Sequence, residues 1–183
     1  SGGRTVCVGC EAGADASRIQ AAIDEAAKLT GERPVVHLPM GRYPIAKSLV
    51  IPRGSDLRWV GDSAGETGTR LDWTGPADGV VLRVEGPSHA TLCDTFIHAG
   101  EARAILVTNA DHPQGRIFAD QLNVSGPSSK GSTDAAALRI RGLDRTHVLL
   151  RAHQGGGNGG RWVEVLGGPE AERSTNQVSI FTG

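Results

Sequence analysis

Side chains that could hold or transform a sugar fall at matching points of four short segments in the second half of the chain. These are Cys93-Asp-Thr-Phe-Ile-His98, Gln121-Leu-Asn-Val-Ser125, Leu149-Leu-Arg-Ala-His153 and Gln177-Val-Ser-Ile-Phe181. Each alternates, the period-2 pattern of a half-buried strand. With Thr95 and Ile97, Leu122 and Val124, Leu150 and Ala152, and Val178 and Ile180 facing inward, three outward columns remain. They are Asp94, Gln121, Leu149 and Gln177; Phe96, Asn123, Arg151 and Ser179; and His98, Ser125, His153 and Phe181. Planar donors and acceptors suit hydroxyls, aromatic rings suit pyranose faces, and a guanidinium suits a uronate. The expected carbohydrate-binding residues are Phe96, His98, Gln121, Asn123, Phe181 and Trp162, the last placed outward by its position before Val163. For lyase chemistry, Arg151 or His153 is the candidate base and Asp94 a candidate calcium ligand. No other metal or cofactor is expected. Hydrolysis would need two acids about 5 to 9.5 Å apart, and this face offers Asp94 alone.

Those columns require strands stacked in register. Upstream of each segment lies a second recurring strand: VVLRVEG (80–86), AILVTN (104–109), AALRIRG (136–142) and RWVEVLG (161–167). Aligning Val84, Val107, Ile140 and Val165 gives steps of 23, 33 and 25 residues. The long step holds a polar insertion near 126–135. Repeats of this length, built from short strands without intervening helices, predict an all-β parallel β-helix. The face bearing Arg83 and Glu85, Leu106 and Thr108, Arg139 and Arg141, and Glu164 and Leu166 reads as solvated structure.

The N-terminal part predicts one helix. Ser17 followed by Gln20 matches a capping box, Ile19, Ala22, Ile23 and Ala26 line one face, and Gly31 marks the stop. The narrow, alanine-rich stripe suits a helix lying flat on the end of the strand stack. One domain is expected over 1–183, with a lead-in at 1–14, the helix at 15–31 and stacked strands from 35 onward. At the far end, an uncovered edge near Phe181 would invite pairing. Another chain or domain covering that end is therefore expected.

The run from Asp15 to Leu71 resembles the N-terminal part of the pectate-lyase-like superfamily. The resemblance rests on Ile19, Gln20, Ala22, Ile23, Asp24 and Ala26, then Val36, Leu38, Pro39, Gly41, Tyr43 and Ile45. It continues through Leu49, Ile51, Pro52, Gly54, Leu57, Gly61, Thr69 and Leu71. It implies a right-handed parallel β-helix with an N-terminal capping helix, in a superfamily whose members bind, cleave or epimerise polysaccharides or form phage tailspikes and adhesins. The superfamily's hydrolase motifs are missing: Arg139-Ile140-Arg141 only partly matches its Arg-Ile-Lys, and no adjacent Asp pair occurs. The epimerase Asp-Pro-His is missing too, since Asp111-His112-Pro113 has another order.

Composition narrows the choice. A net charge of −1 with interspersed charges argues against nucleic acid, and no apolar run reaches the roughly 18 residues of a membrane span. Three cysteines lack a zinc spacing, so Cys7 and Cys10 read as a local disulfide or as two small buried residues. A disulfide would place the protein outside the cell. The expectation is a secreted domain that recognises a polysaccharide or oligosaccharide. The alternatives are a polysaccharide lyase, hydrolase or epimerase, and a tailspike-like or adhesive shaft.

Overall fold

The computed structural model describes the backbone of residues 7–86, 88–109, 116–125, 136–141, 147–154, 161–166 and 177–182. Side chains are described for residues 9–86, 88–105 and 124–125. The insertion expected near 126–135 lies outside the described residues.

Helix α1 (Ala16–Ala27) is capped two residues earlier than the Ser17 capping box would place it. Its N-cap is Asp15, whose carboxylate accepts from the Arg18 amide at 2.9 Å, leaving Ser17 within the first turn. Gln20 does not close a box. Its amide Nε2 donates to the Val50 carbonyl at 2.8 Å, and its Oε1 accepts from the Val50 amide at 2.7 Å. Ile19, Ala22, Ile23 and Ala26 are buried on the strands below. Fully burying each isoleucine contributes about 1.5–3 kcal/mol.

The strands follow in order. They are β1 (Cys7–Gly9), ahead of the helix, then β2 (Val35–Leu38), β3 (Gly41–Ile45), β4 (Leu49–Ile51), β5 (Asp56–Gly61) and β6 (Thr69–Trp73). Next come β7 (Val80–Gly86), β8 (His89–His98), β9 (Arg103–Asn109) and β10 (Arg116–Ser125). The last are β11 (Ala136–Arg141), β12 (His147–Gln154), β13 (Arg161–Leu166) and β14 (Gln177–Thr182). Every pairing among the described strands is parallel.

The expected right-handed β-helix of even coils is corrected by how these strands gather. They form a nine-stranded sheet and a five-stranded sheet. The larger sheet curls like half a barrel, and the two together make a barrel-like sandwich. Its main path runs β1-β2-β5-β8-β10-β12-β14, with β3 and β6 branching from it, and the smaller sheet runs β13-β11-β9-β7-β4. The intervals between partners are as uneven as the repeat itself: 33 residues separate Leu49 and Leu82 (82−49), and 23 separate Leu82 and Ile105 (105−82). Alternating side chains specify strands and one buried face, but carry no information on sheet curl or branching.

The local alignment of the first repeated strand does hold. Val84 pairs with Val107, Val107 with Ile140, and Ile140 with Val165. One continuous core joins Ile19 and Ile23 of the helix to Leu38, Tyr43, Leu57, Trp59, Leu82 and Leu92. Strand β8 crosses the bend of the large sheet without a break, because Asp94 takes φ +52 there. Gly61 lies beneath that bend. A Cβ on it would collide with the Asp94 carbonyl oxygen, and would come within 2.8 Å of Thr69 Cβ and 2.9 Å of Thr95 Oγ1.

Candidate functional site

On the large sheet, positions beyond the bend alternate between core and outer face. Leu71 and Ile97 point inward and are buried, so their neighbours Arg70, Asp72, Phe96 and His98 occupy the outer face. Register then assembles two rows across adjacent strands. One is Arg42, Arg70, Phe96, Asn123 and His153; the other is Pro44, Asp72, His98 and Ser125.

These groups bind one another within and across strands. Arg70 Nε donates to Asp72 Oδ1 at 2.7 Å, while the other oxygen, Oδ2, lies 3.2 Å from Arg42 Nε. The Arg70 guanidinium stands 4.8 Å above the Phe96 ring, and its Nη1 is 3.8 Å from Glu66. The cation–π contact contributes about 1–2 kcal/mol in a partly desolvated setting. His98 meets Phe96 edge-on at 6.2 Å, and its Nδ1 lies 2.7 Å from Ser125 Oγ. Arg70 is only 10% exposed, whereas Arg42 is 67% exposed, so Arg42 is the cation open to a ligand.

The expected columns are partly assembled. Phe96 with Asn123, and His98 with Ser125, are register partners. Asp94 and Gln121 lie together at the bend, each between the partner pairs Cys93–Asp120 and Thr95–Leu122. β12 sits two residues from the expected alignment at this point, so Asn123 faces His153 instead of Arg151, and the β10–β12 register also shifts by one between Ala119 and Leu122. Arg151 pairs with Phe181. Of the candidate catalytic residues, Asp94 thus lies at the bend of β8, while Arg151 and His153 lie on β12. Trp162 lies on β13 in the other sheet, away from this face. Side chains of Gln121, Asn123, Arg151, His153, Trp162 and Phe181 lie outside the described residues.

Phe96 corrects its expected role. Only 3% exposed, it has no open ring face for a sugar and instead cushions Arg70. Arg42, Arg70 and Asp72 were missed, although T-R-L-D-W alternates and puts Arg70 and Asp72 opposite buried Leu71. Among the described residues no three His, Cys, Asp or Glu side chains converge on a metal position, so Asp94 finds no such calcium partners there.

A second polar pair stands at the bend. His37 Nε2 lies 2.7 Å from Asp62 Oδ1, and the Met40 amide donates to Oδ2 at 2.8 Å. The His37 contact and then the Met40 amide hold the Asp62 carboxyl below the usual carboxylate range. Cys10 is a buried free thiol, which removes the local disulfide; burial pushes its pKa up, with Arg18 opposing. No helix among the described residues is long and apolar enough to cross a membrane.

Fold and site thus define a parallel-β protein with a charged row across the bent sheet. The chain matches no family model and no curated protein. Among solved structures it is similar to ORF18 of Geobacillus virus E2, with a TM-score of 0.58 and 14% identity. The match covers 84% of this chain and 39% of that one, so the chain spans well under half the viral protein's length. At this identity the likeness concerns the fold alone.

Proposed function

We propose that the outer face of the large sheet binds a polysaccharide or oligosaccharide. One observation carries the reading: polar groups on four neighbouring strands are linked strand to strand, Arg42 to Asp72, Arg70 to Phe96, and His98 to Ser125. Adjacent strands step about 4.8 Å. Donors and acceptors therefore repeat along a line, as an extended hydroxyl-rich chain requires. Their mutual bonds fix rotamers before a ligand arrives, which lowers the ordering cost of binding. Arg42 gives the row an exposed planar cation, suited to a sugar carboxylate.

Affinity electrophoresis through gels containing xylan, pectin, alginate or β-glucan tests it. Retardation is expected on at least one polymer, strongest where uronates are present. Arg42→Ala should weaken that retention about tenfold, the loss of one charge-assisted contact. Unretarded migration through all four gels would count against the proposal.

A further inference from the structure

The row contains more than binding groups. Ser125 Oγ and His98 Nδ1 lie 2.7 Å apart on adjacent strands, within the reach of a nucleophile and its base. Ser125 is 5% exposed and His98 is half-buried, so the pair is largely removed from water while one member reaches the surface. Asp72 is the register partner of His98 on the opposite side, so the three side chains follow one another across β6, β8 and β10. Both Asp72 oxygens are already held by arginines. Asp72 is therefore a fixed neighbour of the imidazole, and the reacting pair is Ser125 with His98.

We propose that Ser125 and His98 are an acyl-transfer pair that cleaves O-acyl esters; the choice of a sugar ester rests on the carbohydrate reading above. Ser125 Oγ attacks the ester carbonyl carbon while its proton passes to His98 Nδ1. The carbonyl re-forms and expels the sugar oxygen, which takes that proton from His98, leaving Ser125 acylated. Water then attacks the acyl carbon and gives a proton to His98. The carboxylic acid departs, and the proton returns to Ser125 Oγ. Every bond formed is matched by one broken, and no oxidant or metal enters. The buried setting favours the step because a proton transfer between fixed partners in low dielectric needs little solvent reorganisation.

The full chain is treated with a fluorophosphonate probe, and its peptides are read by mass spectrometry. Release of 4-nitrophenol from 4-nitrophenyl acetate, and of acetate from acetylated xylan, is followed in parallel. The expected result is an adduct on Ser125, formed about 10²–10⁴-fold more slowly in His98→Gln, the usual contribution of a positioned base. No Ser125 adduct on the folded wild-type chain overturns the pair. So does equal labelling in a His98→Gln variant whose unfolding transition matches wild type. Should that variant fail to fold, wild-type labelling of Ser125 over the other serines decides the question. Labelling without retardation in any polysaccharide gel would overturn the sugar reading and leave the pair standing; retardation without labelling would do the reverse.

Discussion

The five-stranded sheet keeps an unbroken register through its repeated strands, whereas the nine-stranded sheet bends, branches and slips. In the first, Arg83, Leu106, Arg139 and Glu164 lie side by side, as do Glu85, Thr108, Arg141 and Leu166. Its outward ion pair of Arg83 with Glu85, at 3.6 Å, is about half exposed. In the second, Asp94 turns to a positive φ, Gly61 permits close backbone approach, and Arg70, Asp72, Phe96 and His98 condense into a partly buried network. Regular strands present their charges to water, where each pair is worth little. A bend brings outward groups close enough to desolvate one another, and there they can acquire specific roles.

The contrast is sharpest at Gly61. Gly61→Ala should destabilise the chain by about 3 kcal/mol, because its methyl meets backbone at the bend and that backbone cannot move aside. Equilibrium urea unfolding measures this; a change below about 1 kcal/mol would mean the bend is plastic.

Asp62, at the same bend, carries a pH signature. Its folded pKa is lowered by His37 and by the Met40 amide, so its contribution is present above the unfolded aspartate value. That contribution disappears as pH falls through the lower folded value. Asp62→Asn should therefore flatten the acid limb of the stability curve below the ordinary aspartate range. Thermal unfolding between pH 5 and roughly pH 2 reads it. An acid limb identical to wild type would remove Asp62 from the account.

The smallest effect belongs to the regular sheet. Arg83→Ala should change stability by no more than about 0.5 kcal/mol, since the pair with Glu85 is exposed and screened. A loss comparable to that of Gly61→Ala would erase the distinction between the two sheets.

Much of the fold is legible in short-range patterns. Val35–Leu38, Thr69–Trp73 and Val80–Gly86 are strands over the spans their alternation marks, and the helix buries the four residues its periodicity selects. The partners Phe96–Asn123 and His98–Ser125 follow from the same alternation. Beyond β10 the reading fails for a specific reason. β12 opposite Asn123, and β14 opposite β12, each sit two residues from the expected alignment, a displacement that a pattern of period two does not register. Gln20 was misjudged for a related reason: its amide could reach back to the helix start or outward to Val50, and only the packed helix selects Val50.

The sequence by itself determined the elements, because hydrophobic period and turn residues act over a few positions and need no distant partner. It also determined that Thr95, Ile97 and Val124 face the core. Tertiary structure alone decided that the strands divide into a curled sheet and a smaller one, that Phe96 is buried beneath Arg70, and that Asp72 joins His98 and Ser125 in one line. Those outcomes depend on which residues, dozens of positions apart, meet across a bend. Backbone geometry at Gly61 and Asp94 sets that meeting, and alternation along a single strand does not encode it.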